Sequence, residues 1–241
     1  MTQSFDLASS YVLALTGNNE SILDFRCIHD VRKDLPAHNF RGTLRDIWPT
    51  LIDYNARGYG IFVTINEMDG VGRDLNNVKF IRAQCVDIDN LLTAEDSYKR
   101  AVSAAPQPHF AVQSSPGKYH VYWLVEPYVG NDYYTLIQRK LRQVYDGDKM
   151  VIDATRVLRV PGFYHLKGEP YLVTCWGIHN GARWPVAAIA QTLENVNVLD
   201  HVGMRSPLGD QQMAAPSLDW LKFALNLLNP NELDRSEWMS I

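Results

Sequence analysis

The 241-residue sequence has only three cysteines, Cys27, Cys85 and Cys175, widely scattered and without a CxxC pair. That scarcity argues against a disulfide framework and against a cysteine-rich zinc site. No run of 18 apolar residues occurs, and the N-terminus lacks the basic start and continuous apolar stretch of a signal peptide. A membrane span is therefore not expected, and a reducing cytoplasm is the expected compartment. Repeats of fixed period and low-complexity tracts are missing as well. So is a strong excess of either charge: 23 Lys+Arg against 27 Asp+Glu give −4. A polyanionic partner would have to be held by a local basic surface, because bulk charge neither favours nor excludes it. What is present is 46% hydrophobic and 21% charged residues. That composition marks a globular chain able to bury a full core, and the length suits one main domain plus a small appendage.

Along the chain, apolar spacing and N-cap residues predict amphipathic helices over 4–15 and 43–57, the second with Thr43 as cap and Leu44, Ile47, Trp48, Leu51 and Ile52 on one face. A β-branched and aromatic run at 59–66 and a second at 79–89 read as strands joined by a turn-rich loop. A helix over 93–105, closed by Pro106 and Pro108, leads to a third strand at 110–114. Ser114-Ser115-Pro116-Gly117 is turn chemistry, so 111–126 reads as a β-hairpin with His120 near the start of its second strand. Further helices are expected over 132–145 and 184–194, with short strands up to 171–176. The main domain is placed at 1–200, a linker at 201–216, and a helical segment at 217–241 that runs out mid-domain.

Three constellations carry chemistry. Asp87 and Asp89 close an apolar strand, and strand alternation puts both carboxylates on one face, at a spacing that lets them share divalent cations. The plainer alternative is a strand end with two solvated carboxylates. Lys118 and His120 likewise share a face just after the turn, where a cation and an imidazole could grip nucleotide phosphates. Asp153 could complete a carboxylate triad with Asp87 and Asp89. Behind it come Arg156, then Arg159 and Lys167 on either side of the Pro161-Gly162 turn, as a loop clamping a polyphosphate requires. Each motif alone is weak, and their order within one stretch of chain gives them weight.

The segments VDIDN (86–90), SSPGKYHVYW (114–123) and VIDATRVLRVPGFYHLK (151–167) resemble the archaeo-eukaryotic primase superfamily, especially plasmid and phage replication primases of the RepB type and related primase-polymerases. The resemblance spans roughly residues 25–176, and 217–238 resembles the helical primase C-terminal module that often precedes a helicase. It implies that Asp87, Asp89 and Asp153 are catalytic and bind two Mg²⁺ or Mn²⁺ ions. It further implies that His120 contacts the triphosphate of an incoming NTP or dNTP, with Arg159 and Lys167 as basic partners. Two departures stand out. Lys118 occupies the position, two before the histidine, where the superfamily often has Ser, and His165-Leu166 replaces the frequent Asn before the final Lys. With no zinc-ligand cluster near these motifs, the zinc module of some primases is not expected.

Expected partners are therefore a single-stranded DNA template, NTP or dNTP, and a helicase following this stretch. A basic and aromatic track for the template is sought in Arg73, Lys79, Arg82 and Tyr122, the plainer alternative for the first two being a solvated loop. The expected fold is α+β: an RNA-recognition-like mixed central sheet carrying the Asp pair, with helices packed on it and a short C-terminal helical extension. Two rivals differ in class. A replication-initiator endonuclease needs a His-hydrophobic-His pair, which the seven scattered histidines do not supply. A non-catalytic single-strand-binding module would not need three acidic residues around one site.

Overall fold

The computed structural model describes residues 2–198. The expected linker at 201–216 and helical module at 217–241 lie outside the described residues. Up to Val198 the chain forms one compact unit. It opens with α1 (Phe5–Thr16), capped by the Ser4 hydroxyl, which accepts from the Leu7 N–H at 3.4 Å, and closed by Gly17, whose φ of +81° lets its N–H reach Leu13 O. Ala8, Tyr11, Val12 and Leu15, at helical spacing, are its buried stripe. A hairpin of β1 (Leu23–His29) and β2 (His38–Gly42) follows, then α2 (Leu44–Ala56), whose cap Thr43 accepts from the Asp46 N–H at 3.2 Å and donates to the Asp46 carboxylate at 2.8 Å.

Next come β3 (Tyr59–Thr64), β4 (Glu67–Met68), a 3₁₀ turn at Leu75–Asn77 and the long β5 (Val78–Ile88). Helix α3 (Ala94–Val102) leads to the hairpin β6 (Phe110–Ser115) and β7 (Lys118–Tyr128), followed by α4 (Asn131–Tyr145). The chain then folds back through β8 (Val157–Arg159), β9 (Tyr164–His165), β10 (Tyr171–Leu172), β11 (Thr174–Gly177) and α5 (Val186–Thr192).

Two main sheets result, ordered β2-β1-β3-β8 and β11-β6-β7-β5-β4, with every ladder between named strands antiparallel. β5 and β6 both run against β7, so they run alongside each other with β7 between them and α3 as the crossover. This is the split β-α-β arrangement of an RNA-recognition-like sheet. The fold is α+β, as expected: a curled antiparallel sheet with five α-helices among the described residues. The mixed character lies in strand direction across β7 and not in parallel ladders.

Both faces of the five-stranded sheet are covered. Cys85, Phe110, Val112 and Tyr122 pack with α1, α2 and the four-stranded sheet. Val86, Ile88, Ala111, Val121 and Trp123 pack with α3, α4 and α5. Burial on both sides explains the continuous apolar run Val121–Val125 of β7, whereas in β5 the buried Arg82 and Gln84 interrupt the apolar residues. The helix expected at 184–194 is shorter because Trp184 is held as a β-bridge to Val125 and Pro185 sets the start of α5. The strand expected at 171–176 is two strands, split at Val173, whose N–H and carbonyl bond back to the loop at Phe163 and Gly162. Among the described residues no helix is long and apolar enough to cross a membrane.

Candidate active site

The polar ends of β5 and β7 meet in register: Asp87 lies opposite His120. The His120 Nε2 stands 3.6 Å from Asp87 Oδ1, and Lys118 Nζ stands 3.6 Å from Asp89 Oδ2. His120 is 3% exposed, and burial, reinforced by Arg159 and His165, pushes its pKa down to about 3. It is thus a neutral imidazole at physiological pH, and its contact with Asp87 is not a charge pair. Its Nδ1 is buried with no hydrogen-bond partner among the described residues. Asp87 moves the other way: burial, then the neighbouring carboxylates Asp89 and Asp148, raise it to about 7 against the opposing pull of Lys118 and Arg159.

Asp148 reaches this site through a tightly held loop. Asp146 ends α4 with a φ of +52°, and the Gly147 N–H closes onto Arg142 O. A Cβ on Gly147 would stand 2.5 Å from the Val86 side chain and 3.3 Å from Asp87 O, so only glycine allows so close an approach. Asp148 then donates its N–H to Asp87 O at 2.7 Å. A second link crosses above it: the Asp146 carboxylate accepts from Asn90 Nδ2 at 3.1 Å and from the Thr93 hydroxyl. The loop after Asp87 and the loop before Asp148 are therefore tied to each other.

A cavity of about 340 Å³ opens here, with Asp87, Asp89, Asp148, Lys118 and His120 on one side. Arg156, Arg159, His165, Lys167, Lys33 and Asp30 form the other. Asp30, 3% exposed, takes two hydrogen bonds from Arg159, at 2.5 and 3.3 Å, and one from the Leu166 N–H at 2.7 Å. The Arg159 guanidinium lies 4.6 Å from the Phe62 ring centre. Gly60 makes room for this arrangement, since a Cβ there would stand 2.8 Å from Asp30 Oδ1.

Of the residues singled out in the sequence, Asp87, Asp89, Lys118, His120, Arg156, Arg159 and Lys167 are brought together. Asp153 is not. Its carboxylate accepts from the Thr155 N–H at 3.0 Å and hydroxyl at 2.6 Å and pairs with Arg156 Nε at 2.6 Å, so it stabilises the turn instead of facing the cavity. The carboxylate that lines the cavity beside Asp87 and Asp89 is Asp148, five residues earlier.

The track expected for DNA is also corrected in part. Tyr122 is fully buried, stacked on Phe110 at 4.4 Å. Arg82 is 7% exposed and donates to the carbonyls of Ile65 at 2.6 Å and Thr64 at 3.4 Å, which ties β5 to the end of β3. Neither side chain is placed to touch a nucleic acid. Lys79 is exposed and paired with Glu67 at 2.9 Å, at the far end of β5 from Asp87. Arg73 is half-buried beside Arg26 and Asp24.

Among the described residues no three His, Cys, Asp or Glu side chains form a preassembled metal cluster. Asp87, Asp89 and Asp148 nonetheless share this cavity and offer oxygen donors of the kind hard divalent ions take, and burial first, then the charges of Asp89 and Asp148, raises Asp87.

This curled antiparallel sheet, with carboxylates and a histidine at its strand ends, is a primase-type fold. It is shared with three solved structures. The primase-polymerase AEP domain of cyanophage S-2L superposes with a TM-score of 0.65 at 18% identity over 80% of this chain and 100% of that one. Primase RepB′ gives 0.58 at 18% identity over 77% and 60%, and its catalytic domain in complex with initiator DNA gives 0.54 at 19% identity over 77% and 91%. Residues 51–198 match the RepB DNA-primase N-terminal domain, and the chain belongs to that family. No curated protein matches it.

Proposed function

We propose that this domain synthesises primers on single-stranded DNA by template-directed nucleotidyl transfer, as part of plasmid, phage or mobile-element replication. The observation that carries this reading is the meeting, in one cavity, of Asp87 from β5, Asp89 just after it and Asp148 from the loop after α4 with the side chains of Lys118, His120, Arg159 and Lys167. Family membership and the DNA-bound relative point the same way. In the reaction, a 3′-oxygen attacks the α-phosphorus of an NTP or dNTP, the bond to the bridging oxygen breaks, and pyrophosphate leaves with that electron pair.

Asp87, Asp89 and Asp148 would hold Mg²⁺ or Mn²⁺, which when bound supply charge neutralisation on the triphosphate and a more acidic attacking hydroxyl. The basic side chains around the cavity do the rest of the electrostatic work. Lys118, Arg159 and Lys167 offer positive charge to the phosphates. Neutral His120 offers a hydrogen bond without a charge, so it can approach the phosphates between the carboxylates without acting as a counter-ion to them. Asp30 fixes the guanidinium plane of Arg159, so its donors are oriented before substrate arrives. The sequence at 217–238, which resembles modules that precede a helicase, makes a helicase the natural neighbour.

The experiment is de novo synthesis on primer-free single-stranded DNA with labelled NTPs or dNTPs and Mg²⁺ or Mn²⁺, comparing wild type with Asp87→Ala/Asp89→Ala. Products that vanish in the variant support the reading, and their nucleotide dependence gives the sugar preference. Extension of a primed template without initiation would reduce it to a polymerase. Silence in both assays, with intact DNA binding, would replace it by a single-strand-binding module.

A further inference from the structure

The four-stranded sheet has two unlike faces. Leu23, Phe25, Cys27, Ile61 and Val63 turn inward to the core shared with α1 and α2. The alternate residues turn outward, and the register sets Asn39, Arg26, Phe62 and Arg159 in one row across all four strands. Arg26 pairs with both Asn39 and Phe62, and Phe62 pairs with Arg159. The row runs straight into the catalytic cavity, which Phe62 and Arg159 line. One rung further out, Asp24 lies opposite Arg41 and forms an ion pair with it at 2.5 Å.

Charge on this face is unbalanced. Arg41 is matched by Asp24 and Arg159 by Asp30. Arg26 and Arg73 have no carboxylate at ion-pair distance among the described residues, and Arg26 Nε is buried without a hydrogen-bond partner. The two guanidiniums feel each other: burial and then the Arg26 charge lower the pKa of Arg73, with only Asp24 acting in the opposite sense. The loop that carries Arg73 is seated on the face, since a Cβ at Gly70, where φ is +86°, would stand 2.6 Å from Arg41 Cζ. Like charges held close together, with a donor left unbonded, form a surface that lacks an anion. An aromatic ring in the same row adds a place for a base.

We propose that the outward face of the four-stranded sheet is the path along which single-stranded DNA template enters the cavity, with Arg26 and Arg73 holding backbone phosphates and Phe62 contacting a base. Two features select this occupant: the face holds two guanidiniums, Arg26 and Arg73, with no carboxylate at ion-pair distance among the described residues, and it is continuous with the cavity that Phe62 and Arg159 line. The inference rests on the template-directed reading above and gives that reading a direction, from β2 through β1 and β3 to β8. It retains Arg73 as a DNA contact and replaces Arg82 and Tyr122 by Arg26 and Phe62.

The test is binding of fluorescein-labelled oligo(dT) in EDTA, across a salt series, for wild type, Arg26→Ala, Arg73→Ala and Phe62→Leu, with thermal melting of each. Arg73→Ala sits in a loop and keeps the test open should Arg26→Ala fail to fold. Expected is about a tenfold loss of affinity for each arginine variant. The slope of log K against log salt should fall by about 0.7 per arginine removed. Unchanged affinity and slope in both folded arginine variants would overturn the path, even if wild type still makes primers. Unchanged DNA affinity together with a lower sedimentation coefficient would assign the face to contact between two copies of the chain, and would also overturn it. Because binding is read without metal or nucleotide, failure of the polymerase reading would show separately, as loss of synthesis by wild type.

Discussion

The two ends of β5 carry charge in opposite ways. At the start of the strand Lys79 is paired with Glu67 and Arg82 is bonded to two carbonyls of the chain, so each charge finds its partner within the protein. At its end Asp87 has like-charged Asp89 and Asp148 as neighbours, a neutral imidazole at 3.6 Å and a pKa raised to about 7. At the first end the polar side chains find partners within the chain, although burial still lowers the Arg82 pKa to about 10; at the other, like-charged carboxylates line a cavity. Clustered charge alone does not separate the two, since both are lined by ionisable residues. What separates them is whether the folded chain satisfies that charge.

The largest difference should appear on removing charge at each end. Asp87→Asn with Asp89→Asn should lower the rate of primer synthesis by at least about a thousandfold while leaving the fold intact. Arg82→Met should act on stability instead, costing about 2 kcal/mol through the two carbonyls it leaves unbonded, as read by denaturant unfolding. Loss of activity with unchanged stability in Arg82→Met would erase the contrast.

Next in size is the buried pair beside the cavity. Asp30→Ala leaves the Arg159 charge buried and frees the Leu166 N–H, so a stability loss of about 3 kcal/mol is expected in chemical denaturation. A loss below about 1 kcal/mol would mean that Arg159 finds another partner.

A smaller effect follows from protons. In the metal-free protein the raised Asp87 binds a proton that the unfolded chain has released, so its contribution to stability is present at acid pH and is lost as pH rises through about 7. A cation must displace that proton, so Mn²⁺ affinity measured by calorimetry should be about tenfold weaker at pH 6 than at pH 8. An affinity independent of pH over that range would contradict the placement of Asp87 in the ion site. Smallest of all, Lys79→Ala should change stability by less than about 1 kcal/mol, because its pair with Glu67 is exposed.

Much of this site was legible in the sequence because it lies on strands. Period-2 alternation placed Asp87 with Asp89 and Lys118 with His120, and the Ser114–Gly117 turn fixed the hairpin that brings the two pairs together. The strand β1 is not among the sequence expectations, although Leu23, Phe25 and Cys27 alternate there with Arg26 between them. Alternation does not tell whether the second face of a strand is covered, and both faces of β5 and β7 are. Arg82 and Tyr122 therefore looked available and are buried. Asp30 carries no local pattern at all, since its partner Arg159 lies 129 residues away.

Asp148 and not Asp153 lines the cavity for a local reason. A hydrophobic residue before an Asp looks the same in a turn as in a site, but Asp146-Gly147-Asp148 holds a glycine where the chain must close onto Val86. Asp153 has Thr155 and Arg156 close by to satisfy it.

The most direct measurement is the pair Asp148→Ala and Asp153→Ala, each assayed for Mn²⁺ affinity and for primer synthesis on single-stranded DNA. Asp148→Ala is expected to weaken Mn²⁺ binding at least about tenfold and to abolish synthesis, while Asp153→Ala keeps Mn²⁺ affinity within about threefold of wild type and shows its effect mainly in melting temperature. The reverse pattern, with Asp153→Ala losing metal and Asp148→Ala keeping it, would contradict the assignment of the third carboxylate.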